Sequence, residues 1–188
     1  MLYTARWPGA ILAAVLALGA PAHADYASIA ELRDGDMRKL NFHDAPRPLP
    51  EAIMLDPEDG EHPLADWQGQ WVILNFWATW CAPCRHEMPA LDALQAAFAD
   101  QGVAVLPLAT GRNPLPGVRR FYEETGLQHL PILRDPTQGI ARAMGVLGLP
   151  VTLVITPEGE EIARMTGDAD WASPSAMAIV QALVDSRD

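Results

Sequence analysis

The sequence predicts an α/β domain in which a central mixed sheet is flanked by helices on both faces. Three short runs are rich in β-branched and apolar residues, which is typical of strands buried on both faces: Trp71–Trp77, 103–108 and 151–155. Apolar residues recur every three or four positions over residues 84–100, which indicates a helix between the first two strands. With 188 residues, 49% of them apolar, one domain can bury a substantial core.

Residues 1–24 are predicted to be a signal peptide and not part of the fold. Arg6 is the one charged residue before an apolar run at residues 10–20, and small residues at 22 and 24 suit a signal peptidase. The apolar run is shorter than the roughly 20 residues that span a membrane. We therefore expect a cleaved signal and a periplasmic protein, with an uncleaved membrane anchor as the alternative.

Residues 25–50 are predicted to be an N-terminal extension or linker, followed by the domain over residues 51–188. The extension is polar and charged, and three prolines lie near its end, so we expect at most a short helix at residues 29–32. Residues 52–55 are expected to form an edge strand, and residues 56–60 a turn.

The first helix is expected to end at Gly102, because glycine suits the left-handed conformation that closes helices. Ser173 is expected to cap the last helix. The remaining predicted elements are a helix over 116–125 that stops at Gly126, a short element at 132–133, a short helix over 138–144, a strand over 161–166 antiparallel to 151–155, and a final helix reaching about 184.

The charge balance excludes one large class of partners. The chain has 13 basic and 24 acidic side chains, a net charge of −11, and loss of Arg6 with the signal makes it −12. Nucleic acid binding requires a basic face, so no nucleic acid partner is expected. Solubility accounts for most of the acidity.

The two cysteines, Cys81 and Cys84, point to redox chemistry. A structural disulfide stabilises less as its loop shortens, and only two residues separate these cysteines. The pair lies where the first strong strand meets the first strong helix. Cys81 then faces the positive end of the helix, where a nucleophilic thiolate is stabilised, and Pro83 suits a helix start. We expect Cys81 to attack a substrate disulfide and Cys84 to resolve the mixed disulfide.

A Cys-x-x-Cys pair has three other common uses in proteins. A closed zinc site needs four ligands, and His86 is the one histidine near the pair, so no metal is predicted. Covalent haem attachment requires His at the position of Arg85, which excludes it. A copper-binding chaperone that uses the cysteine pair stays open, because thiolates select Cu(I).

Residues 75–89, Asn-Phe-Trp-Ala-Thr-Trp-Cys-Ala-Pro-Cys-Arg-His-Glu-Met-Pro, closely resemble the signature of TlpA/ResA-like thiol–disulfide oxidoreductases of the thioredoxin superfamily. The resemblance extends over about residues 52–184 and implies a thioredoxin-like fold. It also implies a protein-disulfide reductase of the type that serves cytochrome c or copper-oxidase assembly, with protein substrates that carry cysteine pairs and a membrane thiol-electron donor. No diffusible cofactor is expected beside the redox-active disulfide, and a monomer is expected. A thiol oxidase or isomerase on the same fold is the alternative.

A second match to this group lies at residues 148–152, Gly-Leu-Pro-Val-Thr, which resembles its cis-proline loop. The resemblance implies a cis bond before Pro150, packing of Pro150 against the cysteine pair, and pairing of the Leu149 backbone with bound substrate. Substrate contacts are further expected at Trp80, Ala82 and Pro83.

An acid three residues after the second cysteine is the third shared feature, here Glu87. Many thioredoxins carry a buried Asp at the position of Asn75, and Asn cannot accept a proton. Because a helical offset of three puts Glu87 on the face of Cys84, we expect Glu87 to modulate the thiol pKa values, with a solvated surface Glu as the alternative. Trp77 is expected in the core and Trp80 partly exposed, with Trp67, Trp71 and Trp171 as packing residues.

Overall fold

The computed structural model describes residues 26–186, and over this range the chain forms eight strands and five α-helices. The strands are β1 (Asn41–Pro48), β2 (Ile53–Leu55), β3 (Glu61–Pro63), β4 (Trp71–Trp77), β5 (Val103–Thr110), β6 (Leu133–Asp135), β7 (Val151–Ile155) and β8 (Glu160–Thr166). The helices are α1 (Ala27–Ala30), α2 (Ala82–Phe98), α3 (Leu115–Thr125), α4 (Gly139–Ala143) and α5 (Pro174–Asp185). The predicted signal peptide lies outside the described residues.

All eight strands of the described range join one mixed sheet in the order β1-β8-β7-β4-β5-β6-β2-β3. The central pairs β4–β5 and β5–β6 are parallel, whereas β7, β8 and β1 continue the sheet antiparallel to their neighbours. The predicted α/β class with a mixed sheet is therefore confirmed, and β4 lies at its centre.

Strand β4 is buried along its whole length because both of its faces are covered. Its side chains alternate between two apolar clusters, as the twofold period of a strand requires. One face carries Trp71, Ile73 and Trp77 into the cluster that includes side chains of α2, α3 and α5. The other face carries Val72, Leu74 and Phe76 into the cluster that includes side chains of α4 and β2.

The predicted helix boundaries agree closely with the structure. Helix α2 passes into a 3₁₀ turn that ends at Gly102, whose φ of 69° is the left-handed value expected of a helix stop. Helix α3 ends at Gly126 in the same conformation. The Ser173 hydroxyl accepts a hydrogen bond of 3.2 Å from the Ala176 N–H at the start of α5.

Residues 41–48 do not behave as the linker that the sequence predicted. They form β1, which pairs antiparallel with β8 through Phe42 opposite Ala163 and Pro48 opposite Glu160. The prolines that indicated a linker are tolerated because β1 is an edge strand, where a missing N–H can face solvent. The sheet therefore begins before the predicted domain boundary at residue 51.

The strand expected at residues 52–55 is present as β2, but the expectation that it lies at the edge of the sheet is wrong. Strand β2 lies between β6 and β3, and it is β3 that forms this edge of the sheet. The hairpin is closed by Asp56, whose carboxylate accepts hydrogen bonds from the Glu58 and Gly60 N–H groups at 2.8 and 2.7 Å.

Residues 32–40 pack against the segment that joins β8 to α5 and against the first turn of α5. The Lys39 ammonium donates to the Asp168 carbonyl. Ser175 Oγ accepts from the Asp34 N–H at 2.9 Å and donates to the Leu32 carbonyl at 2.8 Å. Within residues 26–186, no helix combines the length and apolar character needed to cross a membrane.

Candidate active site

The candidate site lies where β4 ends and α2 begins. Cys81 is the N-cap residue of α2, and a disulfide joins it to Cys84 with the two Cα atoms 5.3 Å apart. The Cys84 N–H donates to Cys81 Sγ at 3.3 Å. This N–H is one of the unpaired donors at the start of the helix, so the structure has a group that can stabilise negative charge on Cys81 after reduction.

The two cysteines differ slightly in their exposure to solvent. Cys84 is fully buried, whereas Cys81 keeps 6% of its surface exposed. Ala82 and Pro83 between them are exposed, and the Trp80 residue is 65% exposed directly before Cys81. Of the two cysteines, Cys81 is therefore the one with surface that an incoming sulfur could approach. Trp77 is fully buried, so the expectations for both tryptophans are confirmed.

The Asn113 side chain stabilises the turn before the disulfide through hydrogen bonds. Its Oδ1 accepts hydrogen bonds from the Thr79 N–H at 2.8 Å and from the Thr79 hydroxyl at 3.0 Å. Its amide nitrogen donates to the Thr110 carbonyl at the end of β5. Asn113 could not be identified from the sequence, because no pattern in a short loop that contains Gly and Pro predicts a contact with a segment 34 residues earlier.

The bond between Leu149 and Pro150 is cis, as predicted. Val151 pairs with Phe76, so Pro150 lies at the level of Trp77, at the same end of the sheet as the disulfide. Pro150 is buried, and its carbonyl accepts a hydrogen bond of 2.9 Å from the Gly167 N–H. Leu149 is half-buried, and its backbone lies just outside the ladder of β7.

Glu87 is buried and not a solvated helix-face residue. Only 1% of its surface is exposed, on the inner face of α2 one turn after Cys84. Burial raises the pKa of Glu87 from its ordinary 4.5 to about 7, because desolvation outweighs the hydrogen bonds to its carboxylate, and the charge of Asp168 adds to the rise. A carboxyl with this pKa can exchange a proton near neutral pH.

Three neighbours donate hydrogen bonds to the Glu87 carboxylate. The Asn75 amide nitrogen donates to Oε1 at 2.9 Å. The Ala169 N–H and the Trp171 indole N–H donate to Oε2 at 3.2 and 3.3 Å. Trp171 is buried in the core, as predicted for a packing residue, and its indole N–H adds a polar contact that was not predicted. The contact comes from a loop 84 residues downstream of Glu87, and no local sequence pattern connects this loop to α2.

Asn75 also links Glu87 to the strand that follows the cis-proline. Its amide nitrogen donates to Thr152 Oγ1 at 2.9 Å, and Asn75 and Thr152 are opposite each other on β4 and β7. The Asn75 Oδ1 atom is buried and has no hydrogen-bond partner. The site therefore holds a spare buried acceptor beside a carboxyl that titrates near neutrality.

Over the described range, the structure brings together no group of three or more His, Cys, Asp or Glu side chains that could hold a metal ion. His86, the histidine nearest the cysteines in sequence, is exposed, and its Nδ1 lies 3.6 Å from Asp168 Oδ2.

Comparison with known proteins identifies the family of the chain. Residues 46–162 match the AhpC/TSA family. A thiol–disulfide oxidoreductase ResA from Geobacillus thermodenitrificans is 39% identical over 118 residues, which cover 63% of this chain and 67% of that protein.

Solved structures agree in fold. A thioredoxin-family thiol:disulfide interchange protein from Chlorobium tepidum TLS superposes with a TM-score of 0.63 at 26% identity, covering 76% of this chain and 99% of that one. A secreted thiol-disulfide isomerase from Corynebacterium glutamicum reaches a TM-score of 0.67 at 24% identity, covering 81% and 96%. The fold is thioredoxin-like, and the chain belongs to the AhpC/TSA family as a thiol–disulfide oxidoreductase similar to ResA.

Proposed function

We propose that this protein is an exported reductase of specific protein disulfides. The observation that carries the proposal is the pairing of Cys81, a cysteine at a helix start that keeps some surface exposed, with the fully buried Cys84. Such an asymmetric pair can form a bond to one outside sulfur and then break it from within.

The reaction cycle starts from the reduced pair. The Cys81 thiolate attacks one sulfur of the substrate disulfide; a mixed disulfide forms, and the other substrate sulfur leaves as a thiolate that takes up a proton. Cys84 then loses its proton and attacks Cys81 Sγ. The Cys81–Cys84 bond forms, the bond between Cys81 and the substrate sulfur breaks, and the second substrate sulfur also leaves as a thiolate that takes up a proton. Two electrons pass from the cysteine pair to the substrate, and a membrane dithiol donor restores the reduced pair.

Glu87 is proposed to take the proton that Cys84 loses. It lies one turn after Cys84 on the buried face of α2, and its pKa of about 7 lets it accept a proton near neutral pH. This role requires a proton path of one group or one water between the two side chains.

Substrate is proposed to bind along the surface made by Trp80, Ala82, Pro83 and Leu149. The first three are exposed around Cys81. The backbone of Leu149 lies outside the β7 ladder and is proposed to pair with an extended substrate segment. Pro150 then holds this segment at the level of the disulfide.

Export to the periplasm is proposed on the basis of the N-terminal sequence, whose apolar run and small residues suit a signal peptide. The substrates would be cysteine pairs such as those of apocytochromes c or of copper-oxidase assembly proteins. We propose that the protein acts as a monomer and that no cofactor beyond its own disulfide is needed.

Trapping of the mixed disulfide tests the roles of the two cysteines. Reduced Cys84→Ser protein, mixed with a peptide that contains one disulfide, should give an adduct whose mass is the sum of the protein and the attached cysteine-bearing fragment. Cys81→Ser should give none, because Cys84 is buried. An adduct on Cys84 in the Cys81→Ser protein would reverse the proposed order.

The reduction potential tests the direction. A value of about −270 mV, as in thioredoxin, supports a reductase, whereas a value of about −120 mV supports an oxidase. Equilibration of the chain with glutathione or dithiothreitol at known ratios gives this value directly.

A further inference from the structure

Two exposed apolar side chains lie on the two segments that lead into the site. Over the described residues, four large apolar side chains are exposed: Leu32 at 41%, Ile53 at 50%, Trp80 at 65% and Leu147 at 99%. The two most exposed ones belong to the two segments that border the site, the turn before Cys81 and the loop before Pro150. Trp80 is part of the proposed substrate surface, whereas Leu147 has no role in the reaction described above.

The loop that presents Leu147 is held at both of its ends. At its start, the Met144 carbonyl accepts a hydrogen bond of 2.9 Å from Arg164 Nη1, and the Val146 N–H donates to the Ala141 carbonyl at 2.8 Å. At its end, the Pro150 carbonyl accepts from the Gly167 N–H. The fold therefore places this loop firmly and still leaves Leu147 in solvent.

The position of Leu147 follows from the strand register. Val151 pairs with Phe76, so the chain before Val151 continues toward the end of the sheet where the cysteines lie. Leu147 is three residues before Pro150, and three residues span at most about 10 Å. Leu147 is thus within reach of a substrate segment that pairs with Leu149.

We propose that Leu147 is a specificity-determining residue, and that it contacts an apolar side chain of the substrate within a few residues of the target cysteine. The inference rests on the proposed function and names its substrate class: protein segments whose disulfide lies beside an apolar residue. Apolar area on both partners leaves water on binding, which favours such segments over polar ones. Trp80 provides the second apolar contact next to Cys81.

Two disulfide-containing peptides test this proposal, identical except for Leu or Ser two residues before and two residues after the target cysteine. With the unaltered protein, kcat/KM for the Leu peptide should exceed that for the Ser peptide about tenfold, mainly through KM. Leu147→Ser should reduce this ratio to about twofold or less, and Leu147→Met should retain most of it. Because the ratio is taken within each variant, a general loss of activity does not affect it.

Ile53→Ser is the matched control. Ile53 is a half-exposed apolar residue on β2, which is separated from β4 by β5 and β6, and its replacement should leave the tenfold preference intact. Equal kcat/KM values for the two peptides in the unaltered protein, or a preference that survives Leu147→Ser, would overturn the inference while leaving the reductase function intact. Failure to reduce either peptide would instead contradict the proposed function.

Discussion

Asn75 and Glu87 form a buried hydrogen bond of 2.9 Å between the central strand and the helix that carries the cysteines. The same amide nitrogen reaches Thr152, two residues after the cis-proline. Rotation of the Asn75 amide by 180° would turn its unpartnered Oδ1 toward Glu87 and let it accept a hydrogen bond from the protonated carboxyl. The Asn75 amide can therefore hydrogen-bond to Glu87 in either protonation state. An Asp at this position could donate to an ionised Glu87 only if the Asp were itself protonated.

The raised pKa of Glu87 predicts how stability depends on pH. Below pH 4.5 the carboxyl is protonated in both the folded and the unfolded chain, and between 4.5 and about 7 only the folded chain keeps the proton. The free energy of unfolding should therefore fall as the pH rises through this window, by about 3 kcal/mol from this group, and stay low above it.

Glu87→Gln should remove this decrease in the free energy of unfolding with rising pH, because glutamine does not titrate. Urea unfolding of the oxidised protein at pH 4.5, 6 and 8 measures the difference between the two proteins at each pH. The free energy of unfolding of the variant should increase relative to that of the parent as the pH rises. Parallel curves for the two proteins would show that Glu87 has the same pKa in the folded and unfolded chains.

Asn75→Asp should lower the free energy of unfolding of the protein at high pH. Two buried carboxyls within hydrogen-bond distance cannot both ionise easily, so the pair should hold a proton to higher pH than Glu87 alone. Urea unfolding at pH 5 and pH 8 should show a larger loss of stability than in the parent protein. The double variant Asn75→Asp/Glu87→Gln is the control, and it should lose less stability between the two pH values than the single variant.

Arg164 connects three parts of the structure, and its loss should be costly. It donates to both carboxylate oxygens of Glu161 at 2.7 Å and to the Met144 carbonyl, and Glu161 also lies 2.8 Å from His43. Burial alone would raise the pKa of Glu161, but Arg164 and His43 hold it below its ordinary value.

Arg164→Met should destabilise the protein by about 3 kcal/mol, because it leaves a buried carboxylate with one partner. Arg119→Met is the matched control: it removes an ion pair to Glu58 in which both side chains are largely exposed, and it should cost less than about 1 kcal/mol. Urea unfolding at pH 7 measures both. Equal effects of the two substitutions would contradict the assigned importance of the buried pair.

Asn113→Ala should weaken the turn that positions Cys81. It removes the acceptor of two hydrogen bonds from Thr79 and the donor to Thr110, which we expect to cost about 1–2 kcal/mol. In the Cys84→Ser background, trapping of a disulfide peptide should slow several-fold. Asn113→Asp keeps the acceptor oxygen, so its trapping rate should lie between those of the parent and of Asn113→Ala. An Asn113→Ala protein that traps peptide as fast as its parent would show that Asn113 does not position the cysteine.

The elements with strong local patterns could be predicted from the sequence. Strand β4 is apolar at almost every position and α2 has a clear helical period, so the junction between them predicted where the redox-active cysteine pair lies. The motif around Pro150, taken together with the cysteine motif upstream and the family that both resemble, predicted a cis bond, which the structure has.

Contacts between distant segments could not be predicted in this way. Strand β1 is polar and contains prolines, and only its pairing with β8 identifies it as a strand. Trp171 and Asn113 contact the site from loops, where side-chain direction depends on the assembled fold and no periodicity exists. The helical offset of three placed Glu87 on the face of Cys84, but its hydrogen-bond donors come from two distant segments, strand β4 and the loop between β8 and α5.

The pairing of β1 with β8 has a consequence for solubility. A fragment that started at residue 51 would uncover the backbone N–H and C=O groups along β8, and Glu161 would lose His43. An open strand of this kind is a template for edge-to-edge aggregation between molecules. The segment ahead of residue 51 thus acts as a shield that keeps neighbouring molecules from adding to the sheet.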